Sequence, residues 1–405
     1  MPKKISRKDF FKVGSAAATS LGISSAAVSC SKETSAFESD NLVKIPGRDY
    51  CWRVRLEKER LVELSRTDHT STDLWLTRGL VDIQVNGYQG IELTSPDLTL
   101  DGLAKCEEAL AAQGLARWCP TVTSQDPELI REVLAKIAEG VEKGALRRVL
   151  CIHLEANYLS SEEGYRGAHI PRYQKDPEIK EFESWQKAAG GRIGYVSLAP
   201  ERKGAIDFIR YLTSNGILAS LAHHNAPFEV VSAAADAGAR LSTHLFNGCA
   251  SMMHRHHNVI LTQLAEDRLW ASFIPDGHHI PYHVLKVGLR AKGLGRSVLT
   301  SDLVHLGGMP EGEYFVDEQE VEVRSGGAFV KGTPYLFGAW ASLAQGIERV
   351  TASGIIPPGD ALRLASQNPA RLFGIQDSLE PAVGSSGPFV TFREQKGALK
   401  LESII

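Results

Sequence analysis

The chain has few of the features that most directly declare a function. Its six cysteines are scattered and contain no CxxC pair, which argues against a zinc ribbon and against a dense disulfide framework. Three of them sit in apolar, strand-like runs and are expected to behave as small core residues. Basic residues are not in excess: 45 Lys and Arg face 48 Asp and Glu, so charge does not recruit nucleic acid or an anionic membrane. Five of those basic residues and one acidic residue fall in the first thirty positions, which leaves the remainder more acidic still. Beyond them no apolar run is long enough to cross a bilayer, and there is no low-complexity tract. What is left is the composition of an ordinary globular protein, long enough for one barrel and a small accessory domain.

The beginning of the chain does not read as fold. Ser6 to Lys12, Ser-Arg-Lys-Asp-Phe-Phe-Lys, resembles a twin-arginine export motif with Lys8 in place of the second arginine. A weakly apolar Ala/Ser/Gly run follows and ends Ala27-Val28-Ser29-Cys30, which resembles a lipoprotein cleavage site with Cys30 as the lipidated residue. Ser31 to Asp40 is polar and aperiodic, as a tether would be. The expected divisions are a leader at 1–30, a tether at 31–42, a small β domain from 43–77 and 376–405, and a barrel from 78–375. With a functional leader the mature protein is expected on the periplasmic side of the cell envelope, held to the membrane only by lipid; without one it is expected in the cytoplasm.

From Gly79 onward, buried runs alternate with amphipathic helices, the signature of βα units and a parallel sheet. Eight runs are predicted: Leu80–Val85, Ala116–Val122, Val149–Leu154, Ile193–Leu198, Leu218–Ala222, Arg240–Thr243, Trp270–Ile274 and Ser297–Leu299. Eight is the number that closes a (β/α)8 TIM-type barrel. Tyr50 to Leu64 alternates like a hairpin, Glu313 to Val330 like a hairpin or flap, and the tail from Gly387 could return to the first sheet.

In such a barrel the C-terminal strand ends converge on one mouth, and here they are polar. The third run leads into Glu155, the fifth into His223 and the sixth into His244. A lone buried histidine is more often a packed side chain than a ligand; two at matching offsets favour a metal. A carboxylate with two imidazoles suits a catalytic divalent ion such as zinc, with iron or another divalent ion as alternatives. An ion there makes water acidic enough to attack near neutral pH. Asp302, after the eighth run, is placed to take the water's proton and later deliver it to a leaving amine.

The strings DIQVNG, HLEANY, LAPE, LAHHNA, THLFNG, PDGHHI, LTSD and NPARLFG occur in this order between Gly79 and Gly374. They resemble the N-acetylglucosamine-6-phosphate deacetylase family of the amidohydrolase superfamily. The resemblance implies Glu155, His223 and His244 as metal ligands and Asp302 as catalytic carboxylate. It implies that His279 polarises or orients the acetamide, and that Asn247, Gly248, Arg255 and His169 contact phosphate and sugar. It also implies a homodimer, a β-sandwich flanking the barrel, and an amino-sugar substrate. Where many amidohydrolases carry His-x-His and bind two ions, this chain has Gln84-Val85-Asn86, a vestigial second position. Amides are poor zinc ligands beside imidazole and carboxylate, so one ion per chain is expected.

Two departures stand out. The family's Gly-Pro after HLE is Ala156-Asn157, and the segment around Arg255 reads Met-Met-His-Arg-His-His-Asn instead of Gly-Arg-Glu-Pro-Gly. An exported protein would also rarely meet a cytosolic sugar phosphate, which admits an unphosphorylated or differently acidic N-acetyl amino sugar. Amidohydrolases of other specificity, on N-acyl amino acids or cyclic amides, and a non-catalytic glycan-binding lipoprotein are the competing readings.

Overall fold

The computed structural model describes residues 41–69, 71–316, 319–333 and 336–405; the leader motif, the lipidation site and most of the tether lie outside the described residues. Eight strands form one parallel sheet in strict chain order: Leu80–Val85, Leu115–Thr123, Ile152–Glu155, Ile193–Leu198, Leu218–Leu221, Leu241–Ser242, Trp270–Phe273 and Ser297–Leu299. The sheet closes on itself through one bridge, Val85 to Leu303. There Asn86 N donates to Leu303 O at 2.7 Å and Asp302 N donates to Gln84 O at 3.0 Å. The (β/α)8 barrel expected from the alternation is therefore present.

The strands are buried on both faces. Val81, Ile83, Ala116, Cys119, Tyr195, Leu241 and Val298 pack together as one cluster. Their neighbours Leu80, Trp118, Val122, Leu154, Val196 and Leu221 join a larger core with the surrounding helices. The first two crossover helices start at capping side chains. Thr99 Oγ1 accepts from Gly102 N at the head of Leu100–Ala111, and Asp126 caps Pro127–Glu142, whose proline sits in the first turn. Along the latter, Ile130, Val133, Leu134 and Ile137 recur at helical spacing and are all buried. Helices Ala205–Ser214, Phe228–Asp236 and Tyr282–Lys292 lie where the periodicity places them. The helix before the fourth strand, Ile179–Ala188, buries only Phe182 and Trp185 and so carries a faint pattern, and the seven-residue Val259–Ala265 is too short to establish a period.

Beside the barrel, chain segments from both termini share a six-stranded sheet, with the final hairpin Val390–Gln395 and Ala398–Ile404 joined to Leu74–Thr77. Val43, Ile45, Val54, Leu56, Leu61, Leu74, Leu76 and Phe389 give it a core of its own. The alternating stretch after the eighth barrel strand is larger than one hairpin. Gly312–Val316, Gln319–Arg324, Gly327–Val330 and Leu336–Gly338 form a four-stranded antiparallel sheet. Among the described residues, no helix is long and apolar enough to cross a membrane.

Candidate metal centre and active site

Barrel closure brings Glu155, His223 and His244 together, with one ligand-capable atom of each within 4.8 Å of the others, all buried. Among the described residues this is the one such group of three or more His, Cys, Asp or Glu side chains. His244 Nε2 lies 2.9 Å, and His223 Nε2 3.6 Å, from the same oxygen, Glu155 Oε1. The other carboxylate oxygen accepts from the Gln84 amide at 2.8 Å, which turns Oε1 toward both rings. His223 Nδ1–H donates to the Tyr165 carbonyl at 2.9 Å, so its Nε2 carries a lone pair facing the carboxylate. Two acceptors that face each other across 3.6 Å fit a cation between them. The set therefore suits a divalent ion on its own chemistry.

Burial sets the electrostatics. It raises the Glu155 carboxyl to about 7 against the opposing pull of His223. It lowers His223 to about 4, with His244 adding to the effect, and it lowers His244 as well. Asp302 is raised to about 6 by burial, with His244, Glu155 and His279 all close enough to act on it. Asn86 Nδ2 donates to Asp302 Oδ1 at 2.8 Å. Gln84 and Asn86 thus serve as clamps on the cluster and on its neighbouring carboxylate.

Three of these residues leave their strands through left-handed backbone: His223 at φ 48°, His244 at 32° and Asp302 at 55°. Such conformations cost about 1–3 kcal/mol each away from glycine and persist where surrounding contacts enforce them. His223 is gripped most visibly. Its ring lies between Gly167 and Gly248, where a built Cβ on either would come within 2.7 Å of it. His169 stands edge-on to the same ring at 4.5 Å, with its Nδ1 held by Ser124 Oγ at 2.8 Å.

His279 Nδ1–H donates to Asp276 Oδ2 at 2.7 Å, and Asp276 Oδ1 accepts from the His278 and His279 backbone. Burial alone would depress the pKa of His279; the Asp276 carboxylate outweighs it and the net shift is upward. This leaves Nε2 without a partner among the described residues. Sequence reasoning passed over Asp276 as a functional residue, and also the Tyr165 carbonyl. The Asp-x-x-His spacing is a signal that could have exposed the first; a backbone acceptor leaves none.

Comparison with known proteins shows the family and the fold. No protein-family model matches the chain. The chain is 31% identical over 305 residues to the N-acetylglucosamine-6-phosphate deacetylase of Vibrio furnissii, covering 75% of both chains. It is 30% identical over 313 residues to the N-acetylgalactosamine-6-phosphate deacetylase of Escherichia coli O157:H7, covering 76% of this chain and 81% of that one. The chain belongs to the N-acetylglucosamine-6-phosphate deacetylase family. Its members by name hydrolyse an amide. The solved N-acetyl-D-glucosamine-6-phosphate deacetylase of Mycobacterium smegmatis superposes with a TM-score of 0.75 at 25% identity, over 88% of this chain and 94% of that one. The corresponding Thermotoga maritima structure, at 21% identity and a TM-score of 0.75 over 89% and 99%, shares the fold.

Within the family frame, the remaining site residues fall into two groups. Asn247 is half-buried, its Nδ2 is buried without a partner among the described residues, and Gly248 follows it against His223. Arg255, by contrast, is exposed and makes no hydrogen bond or ion pair with a described residue. The histidines around it do not converge as ligands: His254 Nδ1 accepts from the backbone of His256 and His257 at 3.3 and 3.0 Å, which shapes the loop. The Ala156-Asn157 departure has a plain physical account. The Asn157 amide pairs with both backbone groups of Gln125, at 3.1 and 2.9 Å, and so fixes the loop in its own way.

Proposed function

We propose that the protein is a metal-dependent hydrolase that removes acetate from an N-acetylated hexosamine 6-phosphate. The observation that carries this reading is the convergence of two imidazole nitrogens on one buried carboxylate oxygen, with Asp302 in their field. Glu155, His223 and His244 would hold one divalent ion, zinc by donor chemistry. A bound ion supplies Lewis acidity toward the amide carbonyl and toward water. That both Gln84 and Asn86 are committed as clamps supports a single ion.

The chain's own groups supply the rest. Asp302, fixed by Asn86 and with its carboxyl raised by burial, takes the proton of the attacking water and passes it to the leaving amine. His279, oriented by Asp276, presents Nε2 to the acetamide oxygen. The unpartnered Asn247 amide offers a donor to the sugar, His169, edge-on to the His223 ring, offers a second contact, and Arg255 offers a guanidinium to the phosphate. A homodimer anchored to the envelope through Cys30 completes the proposal. A second reading, an unphosphorylated or differently acidic N-acetyl amino sugar, is favoured by the leader motif and by the exposed, histidine-flanked setting of Arg255.

The test is acetate release by the metal-loaded full-length chain from paired N-acetyl amino sugars with and without a 6-phosphate. Release from the phosphorylated member of each pair supports the lead reading, and release from the unphosphorylated member alone supports the second. Release from neither, with turnover of an N-acyl amino acid or cyclic amide, would overturn both.

A further inference from the structure

The barrel's closing seam contains a carboxyl group that the proposed chemistry does not use. Asp82, on the first strand, is fully buried, and burial pushes its pKa upward. One of its oxygens, Oδ2, has no hydrogen-bond partner among the described residues. A buried carboxyl with an unpaired oxygen is expensive, and a barrel interior has cheaper occupants. The bonds it makes show what it contributes. Oδ1 accepts from Thr300 Oγ1 at 2.7 Å and from Ser301 N at 3.0 Å, the two residues that precede Asp302.

That attachment matters because of where it lies. Neighbouring strands elsewhere in the barrel share ladders of paired residues, but the eighth and first strands meet at one isolated bridge, Val85 to Leu303. Asp302 must adopt a left-handed turn at this thinly bonded joint, with φ 55°. Its backbone N–H reaches Gln84 O at 3.0 Å and its side chain reaches Asn86 at 2.8 Å. Ser301 Oγ accepts from Leu303 N at 3.2 Å, closing the turn from the other side. Asp82 is thus a side-chain tie that fixes the residues leading into the turn, on the strand that carries Gln84 and leads into Asn86.

We infer that Asp82 is a positioning residue: through Thr300 and Ser301 it sets the strained turn that aims the Asp302 carboxylate. The inference rests on the role proposed for Asp302. A reacting group displaced by about 1 Å can lose on the order of 10²-fold in rate. Asp82 contacts no metal ligand and no group assigned to substrate, and its one approach to the Gln84 clamp is a long acceptance from that residue's backbone N at 3.5 Å, so the loss should fall on kcat.

The experiment measures acetate release, metal content and thermal stability for full-length wild type, Asp82→Ala, Asp82→Asn and Thr300→Val. Asp82→Ala is expected to lower kcat about 10- to 100-fold with KM and metal stoichiometry unchanged. Asp82→Asn retains an acceptor at Oδ1 and is expected to restore most of that loss. Thr300→Val removes one donor while Asp82 stays in place, so it should lower kcat more mildly and again leave KM alone, even if the alanine variant does not fold. Losses spread over KM, metal content and stability, or a Thr300→Val variant with full kcat, would overturn the inference. An asparagine variant as impaired as the alanine one would overturn it too. A wild type that releases no acetate would refute the functional reading itself, and this inference with it.

Discussion

Gly248→Ala should weaken metal binding although no ligand is changed. A Cβ at Gly248 would lie 2.7 Å from His223 Nδ1, 2.8 Å from Cε1 and 3.0 Å from Cγ, so it meets the ring itself. Ordinary contact between such atoms begins near 3.5 Å, so ring or loop must give way by most of an ångström. The ring cannot retreat freely, because a Cβ-sized space is also missing on the Gly167 side, 2.7 Å from Cε1. Nor can the loop relax cheaply: Gly248 has φ +61°, where alanine adds roughly 1–2 kcal/mol of backbone strain. Either movement loosens the Nδ1–H bond to the Tyr165 carbonyl or tilts Nε2 away from Glu155. Losing an outer contact to a metal-bound histidine typically costs about 10- to 100-fold in affinity, and that is the drop expected here. Titration of stripped protein with zinc, followed by elemental analysis after gel filtration, reads it directly and separates it from any effect on sugar binding. A Gly248→Ala protein that binds metal as tightly as wild type would show that the ring is not held by this grip.

Other perturbations address the remaining assignments. His223→Ala or His244→Ala should remove most bound metal, a larger loss than Gly248→Ala, as elemental analysis of the purified variants would show. Asp302→Asn should lower kcat about 10²- to 10⁴-fold on every substrate while metal content stays at the wild-type value, since it removes proton transfer. Arg255→Ala should raise KM for a 6-phosphate substrate about tenfold and leave its unphosphorylated counterpart nearly untouched. The modest size follows from the arginine's exposure, and equal effects on both substrates would show that it does not read phosphate.

How much of this was legible in the sequence follows from physical causes. Barrel strands announce themselves because residues buried on both faces make continuous apolar runs, and all eight were placed within a few residues. Glu155, His223, His244 and Asp302 were legible because polar groups at strand ends have few other reasons to recur. The backbone of these ends was not. Nothing in LAHHNA or LTSD indicates that His223 and Asp302 sit at positive φ, since that conformation is imposed by contacts remote in sequence. Gln84 and Asn86 were read as an emptied metal position because spacing names an address but not a hydrogen-bond partner. Their amides donate to Glu155 and Asp302, which lie 71 and 216 residues away, bonds that fit a position no longer holding a metal. Arg255 is singled out by spacing alone; the structure places it exposed, in a loop whose turn His254 organises through backbone bonds, and the paired substrates test its role.

One ion held by Glu155, His223 and His244 should switch on deacetylation. The full-length protein is stripped with a chelator and zinc is titrated back while acetate release from N-acetylglucosamine 6-phosphate is followed. No release is expected from stripped protein, and then a linear rise that breaks at one equivalent per chain. Full activity in the stripped protein, or a break at two equivalents, would contradict a single activating ion.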